Sequence, residues 1–159
     1  MLRCYFVGLC VGSAVDGASN NVTLFSMIEG YQVALPFDVA GNTPFEAHAY
    51  VEFDEPIPRP REVVPSFELR FVWVDPDNRA TPATDTPVIV PMTQQRMRLR
   101  SLGAKVPPAP GYFQLFAEWR EAGGGDWTRS PQGWPVDVTA ADPTEIRAGI
   151  GTPIPPAAH

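Results

Sequence analysis

The sequence predicts an all-β fold, a single-domain antiparallel β-sandwich of about eight strands. Three observations carry that expectation. Apolar and polar residues alternate with period two in four segments, turn-forming clusters separate those segments at intervals of roughly 10–20 residues, and no long stretch shows a helical period. The length, 159 residues, fits one domain at roughly 100–200 residues each. Such a chain buries about 68–70% of its unfolded surface and needs no disulfide framework.

The elements follow in order. Residues 3–11 form a continuous apolar run and the first strand, and Asp16-Gly17-Ala18-Ser19-Asn20-Asn21 is a turn cluster. Residues 22–25 and 31–35 read as the next strand, interrupted at Glu29-Gly30, where a glycine often marks a bulge. In 45–53, Phe45, Ala47, Ala49, Val51 and Phe53 alternate with Glu46, His48, Tyr50 and Glu52. The first set belongs to the core and the second to the surface, with His48 between acidic neighbours. Prolines at 56, 58, 60 and 65 make the following segment an extended loop.

Phe67, Leu69, Phe71 and Trp73 form the next apolar face, ending at the turn Asp75-Pro76-Asp77-Asn78. A turn-rich segment leads to a strand at 88–90. Met97 and Leu99 then alternate with Arg96, Arg98 and Arg100, and Phe113, Leu115, Ala117 and Trp119 alternate with Tyr112, Gln114, Phe116, Glu118 and Arg120. Gly123-Gly124-Gly125 turns the chain into 126–129, and 134–138 closes the sandwich. The domain is therefore placed at 1–140. Residues 141–159 are expected as a short helix (Asp142 as N-cap, Pro143 first, Gly149 as stop) or an extended proline-rich tail. Phe45, Val51, Phe53, Leu69, Phe71, Leu99, Leu115 and Trp119 are the expected core.

Composition narrows the function. A net charge of −6 argues against general nucleic-acid binding, which needs a basic footprint. No apolar run reaches the roughly 18–20 residues of a membrane span. Cys4 and Cys10, six apart on one strand, should point the same way about 20 Å apart, too far for a disulfide. Neither sits in a C-x-x-C pair, so zinc or thioredoxin chemistry finds no support, and both read as small residues of a buried face. The N-terminal MLRCYFVGLCVGSA has the outline of a signal peptide, but a first strand accounts for it. Leu9 stands where a lipoprotein box requires a small residue before its cysteine. A cytoplasmic protein is expected.

The succession of a first apolar strand, an Asp-Gly turn, VTLFSMIEGYQVALPF, a strand ending in VWVDPD, an R-x-R-x-R strand and Gly111-Tyr112-Phe113-Gln114-Leu115 resembles an uncharacterised bacterial family. That family is a domain of unknown function with β-sandwich architecture. The likeness covers residues 3–138 and rests on strand and turn patterns. It implies the fold and carries over no activity and no functional residue.

Candidate chemistry is sparse. A nucleophile–histidine site would have to use His48, and no G-x-S-x-G elbow is present. Gly123–Gly125 lack the Lys-Ser/Thr that would make a phosphate loop. No enzyme and no cofactor are expected. Asp75, Asp77 and Asn78, with Asp85 downstream, resemble a calcium-holding loop, although a type I turn explains the same residues. Trp127 and Trp134 flank a turn and would suit a sugar-stacking pair. Arg96, Arg98 and Arg100 put three like charges on one strand face. Either they pair with Glu46, Glu52, Glu68 or Glu118 on neighbouring strands, or they meet an acidic partner. The reading favoured by the sequence is a non-enzymatic protein acting through protein–protein contacts in a bacterial multi-protein system, with Arg96, Arg98 and Arg100 as the partner-binding stripe. A calcium- or carbohydrate-binding module on the same sandwich is the alternative.

Overall fold

The computed structural model describes residues 1–19, 21–34, 43–54 and 64–141. The predicted helix at 142–149, the tail, and most of the proline-rich loop lie outside the described residues. Alternation becomes structure as eleven strands: β1 (Leu2–Val15), β2 (Val22–Met27), β3 (Gly30–Ala34), β4 (Glu46–Phe53), β5 (Ser66–Val74), β6 (Ala80–Pro82), β7 (Val88–Pro91), β8 (Arg96–Leu102), β9 (Gly111–Glu121), β10 (Thr128–Arg129) and β11 (Trp134–Ala141). They form two sheets, β2-β1-β4-β8 and β3-β11-β9-β5-β6, with β7 beside β5 and β10 beside β9. The sheets pack face to face as an all-β sandwich, and no helix occurs among the described residues.

Eleven strands replace the expected eight for a physical reason. The long strands β5 and β9 are each flanked on one side by two separate pieces: β7 and β6 along β5, β10 and β11 along β9. Proline cannot donate to a ladder, and Pro87 and Pro131 stand in the gaps between those pieces. The interruption at Glu29-Gly30 is a change of sheet. β2 pairs with β1, whereas β3 crosses to the second sheet and pairs with β11. That pairing is parallel, the one departure from the antiparallel pattern among the described strands. Gly30 is suited to this crossing, since a Cβ there would come 3.2 Å from the Asp137 carbonyl oxygen.

The core lies between the sheets. Val51, Phe53, Leu69, Phe71, Leu115 and Trp119 are buried as predicted, joined by Trp73, Val136 and Val138. Phe45 and Leu99 pack against this core while half-buried. Trp73 also donates its indole N–H to the Lys105 carbonyl at 2.8 Å, which removes the cost of burying an unpaired donor.

One irregularity changes the faces of β1. Cys4 lies opposite Val51 but Phe6 opposite Tyr50, so a bulge falls at Tyr5. Beyond it the in–out parity reverses. Cys4 therefore faces the core with Val51, while Cys10, opposite Glu46, lies on the outer face. Both thiols are free and buried, but the expectation that they share a face does not hold.

Candidate binding site

The outer face of the first sheet carries the arginine stripe. β8 is the edge strand there, and Arg96, Arg98 and Arg100 stand across from Glu52, Tyr50 and His48. Arg96 Nε donates to Glu52 at 2.9 Å. Arg100 reaches Glu46 at 3.6 Å and donates to Ser13 Oγ at 3.3 Å. Arg96 and Arg100 are thus matched within the sheet by two of the four glutamates that the sequence offered. Glu68 and Glu118 lie on the second sheet and hold other arginines. Arg120 pairs with Glu68 at 2.6 Å, and Arg70 and Arg129 converge on Glu118 at 2.7 and 2.9 Å. The stripe thus lies along an exposed sheet edge, with two of its three arginines paired to glutamates of the neighbouring strand.

His48 is not a surface residue: it is 3% exposed. The residue opposite it is Gly8, and the Phe6 ring and the end of Met27 crowd the space above that glycine, each 2.7 Å from where a Cβ would stand. His48 Nε2 lies 3.0 Å from Glu46 Oε2, which also accepts from Ser13 Oγ at 2.7 Å. Cys10 Sγ completes a group whose donor atoms all lie within 4.8 Å of one another. Burial pushes the Cys10 thiol up, and the Glu46 charge adds to the effect. Burial also acts to raise Glu46, but the Ser13 and His48 hydrogen bonds and the Arg100 charge outweigh it and leave that carboxyl below its ordinary range. Sequence reasoning missed this group. The available signal was Glu-x-His on one strand face, but the cysteine that joins it is 36 positions away in sequence.

The calcium candidates are not brought together. Asp75 accepts from Arg79 N–H at 2.9 Å and Arg79 Nε at 2.7 Å, and Asp77 pairs with Arg79 Nη2 at 2.8 Å. Asn78 has a left-handed φ of 62°, and its side-chain oxygen accepts from Arg129 at 3.2 Å. Asp85 is held by Lys105. The carboxylates close a turn and meet protein cations, and among the described residues they form no three-carboxylate cluster. The tryptophan pair fares similarly. The Arg70 and Arg120 guanidiniums lie 4.0 and 4.5 Å from the Trp127 ring centroid. Trp134 is half-buried, donating to the Ile28 carbonyl at 2.6 Å. The Trp127 ring is thus already stacked by protein cations.

A concavity among the described residues lies elsewhere. A cleft of about 730 Å³ runs between the sheets, lined by residues 1–7 and, across from them, 128, 129 and 131–135 together with Trp119. Side chains on a strand point alternately to opposite faces. Seven consecutive residues can line one cleft only if the strand presents its edge to it. The pairing agrees: β2 joins β1 from Cys10 onward, Ile28 N–H donates to the Leu9 carbonyl, and among the described residues no strand flanks residues 2–8 on that side. On the opposite wall β3 joins β11 only from Asp137. Tyr5, Phe6, Trp119 and Trp134 supply aromatic surface, with Phe6 and Trp134 centroids 6.4 Å apart. The two cations of the lining are engaged, Arg3 with Asp54 and Arg129 with Glu118.

Several other edges carry features that discourage pairing: Arg96, Arg98 and Arg100 on β8, Pro82 and Pro91 on β6 and β7, and the left-handed Ser26 at φ 50° on β2. The edge of β1 over 2–8 carries one charge, Arg3, and no proline. Burial raises the Cys4 thiol, which lines this cleft, to about 11, so it is protonated and unreactive there.

No model of a known protein family matches the chain, and no curated protein is similar to it. No helix among the described residues is long and apolar enough to cross a membrane.

Proposed function

We propose that this is a non-enzymatic binding protein of a bacterial multi-protein system, working in the cytoplasm, that takes up an extended segment of another protein by strand addition along β1. The observation that carries the reading is the cleft lined by six consecutive residues of one strand, Leu2–Val7, together with Met1 before it. An unpaired strand edge beside apolar surface is the arrangement by which peptides add to sheets: main-chain bonds give register and pockets give selectivity. Two free, buried thiols suit a reducing compartment. This reading moves the contact surface away from the arginine stripe, where Glu46 and Glu52 take Arg100 and Arg96.

The energetics define the partner. Ordering a seven-residue segment costs about 1–2 kcal/mol per residue, while each new backbone bond returns about 0.5–1.5 kcal/mol net. The main chain alone therefore falls short by a few kcal/mol. Affinity must come from apolar side chains entering the cleft, each worth about 1.5–3 kcal/mol when fully buried. The fitting segment is extended, with large apolar residues at alternate positions and no proline where it must donate. A photoreactive amino acid at position 5 or at position 98, introduced in the native host, tests this. The expected result is a cross-link from position 5 to one strand-forming segment of another protein. Cross-links from position 98 alone, or from position 5 only to a second copy of this chain, would overturn it.

A further inference from the structure

We propose that Cys10, Glu46 and His48 form a binding site for a divalent transition-metal ion of the zinc class, held between β1 and β4. The three donor atoms, a thiol sulfur, a carboxylate oxygen and an imidazole nitrogen, lie within 4.8 Å of one another. Ligand atoms bonded to tetrahedral zinc at about 2.0–2.3 Å sit about 3.5 Å apart. Small side-chain adjustments therefore close the set into a coordination sphere. Strand register does the placing: Cys10 stands directly across from Glu46, and His48 follows two residues along the same face, opposite a glycine.

Donor chemistry selects the ion. Thiolate and imidazole suit zinc, cobalt and copper, whereas calcium and magnesium take oxygen ligands. On binding, the Cys10 proton leaves to solvent and the ion replaces the contact between His48 and Glu46. A divalent ion with one thiolate and one carboxylate makes a neutral centre, which fits a site where Cys10 is fully buried and His48 nearly so. The carboxylate is already oriented from behind by Ser13 at 2.7 Å and Arg100 at 3.6 Å, as ligands of metal sites commonly are. Three protein ligands leave one position for water or an incoming donor. The consequence is a pin between the two central strands of the first sheet, just beyond the open half of β1.

Cobalt(II) is the probe, because a thiolate ligand gives it a near-ultraviolet charge-transfer band. The purified protein should bind one equivalent with that band. Cys10→Ala should abolish the band, His48→Gln should weaken cobalt binding at least tenfold, and Cys4→Ala should leave it unchanged. If the alanine variant does not fold, Cys10→Ser keeps the approximate size and the donation that Cys10 Sγ makes to the Gly12 carbonyl at 3.3 Å. Zinc should then displace cobalt and raise the melting temperature by mass action. Absence of the charge-transfer band in folded wild-type protein would overturn the proposal. A band that survives the Cys10 substitutions would do the same, because the ion would then sit elsewhere.

Discussion

Glu118→Ala removes a carboxylate that is 4% exposed at the centre of the second sheet's outer face. Its Oε2 accepts from Arg70 Nε at 2.9 Å and Nη2 at 2.7 Å, and its Oε1 from Arg129 Nε at 3.0 Å and Nη2 at 2.9 Å. Removing one partner of a buried ion pair typically costs about 3–5 kcal/mol, because the remaining charge is stranded. Here the stranded guanidiniums are 32% and 31% exposed, so they recover part of their hydration. Arg70 also keeps its stack on Trp127. The expected cost is therefore lower, about 2–3 kcal/mol. In a chain of this size each kcal/mol moves the melting temperature by about 2–4 °C, giving a fall of about 4–12 °C. Urea unfolding should show a lower midpoint with unchanged slope. Arg96→Ala, at an exposed pair, should stay within about 0.5 kcal/mol of wild type. A Glu118→Ala loss below about 1 kcal/mol would refute the reasoning that burial makes this network matter.

Phe71→Ala, at a site 1% exposed and opposite the small Ala117, should cost about 3–5 kcal/mol in the same assay, because little nearby can collapse into the cavity. Leu99→Ala, half-buried on the edge strand β8, should cost clearly less. Gly133→Ala would set a Cβ 2.7 Å from the Phe116 ring and 3.0 Å from Gln114 Cβ, and overpacking of that kind costs about 1–3 kcal/mol, measurable by thermal unfolding. Asp75 titrates below its ordinary range, chiefly because the Arg79 N–H donates to it. A carboxyl lowered by folding contributes stability above its unfolded value of about 3.9, which is lost as pH falls through the folded value. Melting temperature should thus drop in that acid window, and Asp75→Asn should flatten the drop.

The layered fold was legible because period-two alternation fixes which side of a strand is apolar. Phe71, Leu115 and Val51 needed nothing more. Strand faces failed where pairing, not local pattern, decides. The extra residue at Tyr5 reverses the parity of β1, and only the register against β4 reveals that Cys10 faces Glu46 and His48. His48 looked exposed because its strand neighbours are polar; Gly8 opposite it, with Phe6 and Met27 crowded above, explains the burial. Glycine marked the break correctly at Glu29-Gly30, but a local signal cannot tell a bulge from a change of sheet. The arginine stripe was visible as charge, whereas its cancellation by Glu46 and Glu52 depends on β4 and β8 being neighbours. The cleft had no sequence signal at all. It exists because β2 and β3 each stop short of the full length of the strand they flank.

The central claim is that the open edge of β1 receives a strand. Amide hydrogen exchange tests it most directly, comparing the free protein with its complex with a peptide copied from the segment captured at position 5. The account predicts that amides in residues 2–8 that point away from β4 exchange fast in the free protein and become strongly protected in the complex, while residues 96–102 stay as they were. Unchanged exchange over 2–8, or new protection confined to β8, would contradict it.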